Sequence, residues 1–181
     1  MPNYGRDKTP GAYYFFTLVT YKRASIFVAE AIFQLLRISI RQVKLEYPFH
    51  LEAIVVLPDH LHLLMALPED DDGYSKRIAK MKKYFGDRYL PMNRSFSLSE
   101  SGKKRHERAI WQRRFWEHRI RNQSDLEKHI HYIHYNPVKH GHVRSVEDWK
   151  WSSYHSFLKK GLYDKGWGSI DHNIVLEEEW D

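Results

Sequence analysis

Two apolar runs, 49–57 (FHLEAIVVL) and 60–67 (HLHLLMAL), are separated only by Pro58 and Asp59, which leaves room for a tight reversal and nothing else. The two runs must therefore pair as antiparallel strands, and the rest of the chain has to be arranged around that hairpin. Upstream, residues 12–20 (AYYFFTLVT) are aromatic and β-branched, as a buried strand is. From about Ala29 to Tyr47, Ile32, Leu35, Leu36, Ile40 and Val43 recur at helical spacing until Pro48 stops the run. Downstream, a basic helix is expected from about Tyr74 to Leu90, with Ile78, Met81 and Phe85 on its apolar side. A strand follows over Arg114 to Ile120. Ser124 and Glu127 then form a capping-box signature before a helix from about Asp125 to Asn136, halted by Pro137, and a short helical piece lies near Ser152 to Lys160.

The order strand, helix, strand, strand, helix, strand predicts an α+β fold, the ferredoxin-like βαββαβ arrangement. Its antiparallel sheet carries both helices on one face and leaves the other face open, and the 125–136 helix is additional to it. The 181 residues suffice for one domain, placed at 1–165, with an acidic tail over 166–181 that closes on EEEWD. Residues 91–107 read as a basic mobile loop within that domain.

Cysteine is absent, which excludes disulfides, thiolate metal sites and cysteine nucleophiles. The N-terminus lacks a signal-peptide pattern and no run approaches membrane-spanning length, so a cytoplasmic protein is expected. A net charge of +6 with 15% aromatic residues suits a polyanion whose bases can be stacked upon. The plainer reading of that charge is a surface kept soluble.

Twelve histidines make His-x-His common by chance, and three such pairs occur: His60/His62, His129/His131 and His140/His142. Alternate residues share a face on a strand but diverge by roughly 200° on a helix. Only His60 and His62, at the start of a strand, are therefore prearranged to chelate, whereas the second pair is helical and the third lies in a loop. On the 125–136 helix, Leu126, Ile130 and Ile133 form the stripe that packs on the sheet, and Tyr132 and Asn136 share a flanking edge. A tyrosine nucleophile has an ordinary pKa of about 10 and needs a cation or base nearby to attack at neutral pH. Two imidazoles and the Asn136 amide oxygen are neutral ligands, which would leave the charge of a magnesium or manganese ion available to a DNA phosphate. Without the histidine pair, Tyr132 would read as an ordinary interfacial aromatic.

In combination, 58–64 (PDHLHLL), 111–141 (WQRRFWEHRIRNQSDLEKHIHYIHYNPVKHG) and 11–23 (GAYYFFTLVTYKR) resemble the REP-associated tyrosine transposases. These are bacterial relatives of single-tyrosine insertion-sequence transposases in the HUH superfamily, and the likeness spans about residues 11–160. It implies a ferredoxin-like HUH fold acting on hairpins of repetitive extragenic palindromes (REP). By position, His60 and His62 match the metal-binding pair, Tyr132 the nucleophile and Asn136 the third ligand. The implied chemistry is transesterification, leaving a 5′-phosphotyrosine link and a free 3′-hydroxyl without ATP. A nucleoid-associated monomer or homodimer is expected.

Candidates for DNA backbone contacts are Lys76, Arg77, Lys80 and Lys83 on the second helix, and Lys103, Lys104 and Arg105 in the loop. Arg113, Arg114, Arg119 and Arg121 near the tyrosine helix complete the set. Trp111, Phe115 and Trp116 lie among these arginines, where core packing competes with base stacking. Two rivals remain. One is a single-stranded nucleic-acid-binding module of the same fold that does not cut, and the other is a metal hydrolase using activated water. Folding of the acidic end over the basic groove is expected from charge complementarity alone.

Overall fold

The computed structural model describes residues 7–92 and 110–170. Strands β1 (Tyr13–Val19), β2 (His50–Val56), β3 (His60–Ala66) and β4 (Trp116–Arg119) form one sheet in the order β2-β3-β1-β4, every neighbour antiparallel. Helix α1 (Glu30–Glu46) crosses from β1 to β2 and helix α2 (Tyr74–Met92) lies between β3 and β4. This is the expected ferredoxin-like topology.

Strand alternation explains which side chains go where. Tyr14, Phe16 and Leu18 of β1 and Leu61, Leu63 and Met65 of β3 point to one face. There they meet Ile32, Phe33, Leu36, Ile40 and Val43 of α1 and Ile78, Met81 and Phe85 of α2. Fully burying one such side chain stabilises by about 1.5–3 kcal/mol, so Leu63→Ala in this layer opens a cavity in the main core.

The opposite face is not open. Helix α3 (Gln123–Lys139) lies on it, packing Tyr132 and Ile133 against Phe15, Ala53, Val55 and Leu64. Coverage of both faces explains why β3 is buried almost throughout, although its sequence begins His-Leu-His. A short helix α4 (Tyr154–Lys159) and the segment after it form a third apolar cluster with Val138, Val146 and Tyr163. Residues 166–170 belong to this layer: Val146 N–H donates to Gly168 O, and Trp167 stacks on Tyr163 at 4.1 Å. The packed body thus runs past the boundary expected at 165, and 171–181 lie outside the described residues.

Both ends of α3 differ from expectation. Its cap is Asn122, whose Oδ1 accepts from Asp125 N–H at 2.9 Å, while Ser124 sits inside the first turn. Asn122 wins because its extended backbone places the amide oxygen over the unpaired N–H groups of that turn. Pro137 does not halt the helix, which continues to Lys139. The ring removes one N–H, but Pro137 and Val138 are buried, and His140 N–H closes the turn on Asn136 O at 3.0 Å.

Candidate active site

The sheet register draws a row across the strands. Thr17 is paired with His62 on one side and Trp116 on the other, and His62 is paired with Val55. His60 and His62 both project toward α3, with ring centroids 5.0 Å apart, and they are 3% and 0% exposed. Each ring is held at Nδ1. Thr17 Oγ1 lies 2.9 Å from His62 Nδ1, and Asp59 Oδ1 lies 2.6 Å from His60 Nδ1. Fixing Nδ1 sets the orientation of the imidazole and makes Nε2 the nitrogen a cation would take. Asp59 is in turn bridged by Arg23 at 3.2 Å. Partial burial pushes the Asp59 carboxyl pKa up, but His60 and Arg23 outweigh that and hold it below the ordinary carboxylate value.

Helix α3 brings Tyr132 to this pair. Its ring is 5.2 Å from the His62 ring and 5.9 Å from Phe15, and Lys139 Nζ stands 5.0 Å from its centroid. Asn136, one turn further along, is fully buried, and neither its Oδ1 nor its Nδ2 has a hydrogen-bond partner among the described residues. A buried amide without partners costs about 1–3 kcal/mol, a cost that a bound cation taking Oδ1 as a ligand would offset. Two imidazoles and one amide oxygen form a neutral oxygen and nitrogen donor set of the kind that takes a divalent cation. The residues present fit such an ion.

Sequence patterning alone missed several neighbours. Thr17 emerges only once the β1/β3 register is known, whereas Asp59 directly precedes His60 but in the sequence has the signature of a turn residue alone. His140, set aside as a loop residue, ends α3 with its ring 5.3 Å from that of His60.

A second group, His118, Asp125 and His129, places its ligand atoms within 4.8 Å of one another. Its carboxylate is already engaged: Asp125 Oδ2 accepts from Arg121 Nε at 3.0 Å and Arg121 N–H at 2.9 Å, and lies 3.0 Å from His118 Nε2. His129 Nδ1 turns to the Asp125 carbonyl at 2.7 Å. Burial pushes the Asp125 carboxyl up, but Arg121 and His118 reverse this and hold it far below its ordinary value. The group ties β4 to the first turn of α3.

The basic residues divide by place. Helix α2 packs on the sheet face away from Tyr132, so its cations are not beside the histidine pair. Arg77 is no surface contact at all. At 2% exposed, it forms a two-pronged pair with Asp71 at 3.0 and 2.7 Å and donates to Pro48 O at 2.6 Å, which fixes the entry to α2. Lys76 lies over the Tyr47 ring, Lys80 beside Tyr84 and Glu46, and Lys83 against Asp87. Arg113 and Arg114 are exposed just before β4; Arg119 pairs with Asp7 and Arg121 with Asp125. Lys103, Lys104 and Arg105 lie outside the described residues. No helix among the described residues is long and apolar enough to cross a membrane.

The chain is similar to several known proteins. Over residues 8–136 the chain matches the family described as "Transposase IS200 like". It is 48% identical over 169 residues, 93% of this chain and 94% of the relative, to a Haemophilus influenzae protein provisionally named a REP-associated tyrosine transposase. It is 40% identical over 167 residues, 92% of this chain and 91% of the relative, to the REP-associated tyrosine transposase of Escherichia coli. A solved structure of a REP-associated tyrosine transposase bound to a REP hairpin superposes with a TM-score of 0.76 at 37% identity, covering 99% of this chain and 98% of that one.

Proposed function

Because this chain belongs to the IS200-like transposase family, we propose that it cleaves and rejoins single-stranded DNA at REP hairpins, with Tyr132 as nucleophile. The observation that supports this reading is the clustering of the His60, His62 and Tyr132 rings, at 5.0 and 5.2 Å between successive centroids, with Asn136 one helical turn beyond Tyr132 and its buried amide without a hydrogen-bond partner among the described residues.

The phenol oxygen of Tyr132 attacks the scissile phosphorus, and the bond from phosphorus to the 3′-oxygen breaks. The phenol proton is lost and the departing 3′-oxygen gains one, leaving a 5′-phosphotyrosine and a 3′-hydroxyl. The covalent link conserves the phosphodiester, so the 3′-hydroxyl of another strand can reverse the step and join. His60, His62 and Asn136 would hold a magnesium or manganese ion, which when bound supplies positive charge to polarise the phosphate. Thr17 and Asp59 keep the imidazoles turned for that role, and Phe15 fixes the distance between His62 and Tyr132 by touching both rings. Lys139, over the tyrosine ring, favours negative charge on the phenol near the C-terminal end of α3, where the helix dipole opposes it. Arg113 and Arg114 supply backbone contacts on the approach to β4, and the protein acts on DNA in the cytoplasm.

The test is to incubate end-labelled REP hairpin oligonucleotides with the protein and manganese. A denaturation-resistant protein–DNA band that disappears with EDTA and with Tyr132→Phe is expected. Cleavage that survives Tyr132→Phe would instead assign the chemistry to an activated water, and hairpin binding without any cleavage would assign a binding module.

A further inference from the structure

Trp116 is the remaining member of the row that contains His62. Directly paired residues of antiparallel strands project to the same face, so Trp116, Thr17, His62 and Val55 lie side by side on the sheet surface that holds the histidine pair. Two strand spacings separate Trp116 from His62, or about 10 Å between their backbones. Its two aromatic neighbours in sequence go elsewhere. Trp111 is 1% exposed in the main core, and Phe115 packs against that same core on the opposite face. Trp116 is 38% exposed on the edge strand.

The indole is also braced. It lies parallel to the His118 ring at 5.8 Å and 5°, and edge-on to Phe15 at 5.5 Å and 74°. His118 is stacked in turn on His129, whose helix position is tied down by Asp125. A large aromatic ring that stays partly exposed while its orientation is fixed by its neighbours loses little entropy when a planar group lands on it. Exposed Arg113 and Arg114 sit immediately upstream and supply the charge that draws a phosphate backbone across this edge.

We propose that Trp116 is a stacking platform for one unpaired base of the DNA strand, next to the phosphate that Tyr132 attacks, and that it sets how single-stranded sequence beside a hairpin is held. This rests on the reading of the site as one that acts on single-stranded DNA. Stacking tolerates every base, so Trp116 supplies position and affinity rather than a base-specific code.

Binding is measured without metal and in the Tyr132→Phe background, so that the outcome is independent of cleavage. The probes are a REP hairpin with a short unpaired tail, the same hairpin without the tail, and tailed hairpins carrying 2-aminopurine at each tail position in turn. Tailed DNA should bind more tightly than untailed DNA. Trp116→Leu should weaken binding to tailed DNA by about tenfold or more while leaving untailed DNA unchanged, and Trp116→Phe should retain most of the affinity. In the protein with Trp116 intact, 2-aminopurine fluorescence should be quenched at one tail position, and Trp116→Leu should abolish that quenching. Equal loss on both DNAs, no loss on either, or quenching that survives Trp116→Leu would overturn the proposal. The covalent-adduct assay reports separately on the Tyr132 chemistry, so failure of one reading does not disguise failure of the other.

Discussion

His60 Nδ1 lies 2.6 Å from the carboxylate of Asp59, the residue immediately before it in the chain. A carboxylate on the far nitrogen of a ligating imidazole fixes the ring and raises its basicity, and loss of such a partner commonly costs 10–100-fold in metal affinity. Asp59→Asn should therefore raise the manganese concentration needed for half-maximal adduct formation by about 10–100-fold. The folded protein should persist, because the Thr20 N–H and hydroxyl still donate to the Asp59 backbone carbonyl, which the substitution leaves in place. Manganese titration of adduct yield checks this.

Asn136 should show opposite effects on function and stability. Its two amide atoms are buried without hydrogen-bond partners among the described residues, which costs the metal-free fold about 1–3 kcal/mol. Asn136→Leu should remove metal-dependent cleavage while leaving the thermal midpoint of the metal-free protein unchanged or higher. Differential scanning calorimetry with and without manganese measures both: manganese should raise the midpoint of the wild type and not that of the variant.

Much of this site was legible in the sequence because strand geometry is local. Pro58 and Asp59 fix a hairpin, the hairpin fixes the face shared by His60 and His62, and helical spacing puts Asn136 one turn from Tyr132. The residues that stayed hidden depend on partners remote in sequence. Thr17 meets His62 across 45 positions and Trp116 joins the row only through β1. The end of α3 differs from the sequence pattern because the penalty at Pro137 is local, whereas the compensating burial of Val138 against Val146 and Tyr154 is not. Arg77 looked like a DNA contact because charge on a helix says nothing about a carboxylate and two carbonyls folded around it.

His134 predicts acid sensitivity. Its Nδ1 and Nε2 each lie 2.8 Å from a hydroxyl, those of Tyr163 and Ser153. Burial, followed by the neighbouring His131 and His155, pushes its pKa down to about 3. The unfolded chain binds a proton there near pH 6.5 while the folded chain does not, so stability present above that value is lost as pH falls toward 3. Between pH 6.5 and 5 this group should remove about 2 kcal/mol from the unfolding free energy. Urea unfolding at the two values should show that component in the wild type and its loss in His134→Gln.

Asp125 titrates lower still. Its depressed carboxyl stabilises the fold at every pH above about 4 and ceases to do so as the group is protonated in the folded state. Asp125→Asn should cost on the order of 2 kcal/mol at pH 7, since it weakens charged hydrogen bonds from Arg121 and His118. The gap between wild type and variant should narrow in urea titrations taken below pH 4, where the unfolded carboxyl is already protonated.

The most direct measurement is to digest the covalent complex with protease and nuclease and sequence the nucleotide-bearing peptide by mass spectrometry. The 5′-phosphodeoxynucleotide should be attached to Tyr132, and Tyr132→Phe should yield no adduct while still binding the hairpin. An adduct on Tyr135 or any other residue, or one formed undiminished by Tyr132→Phe, would contradict the account.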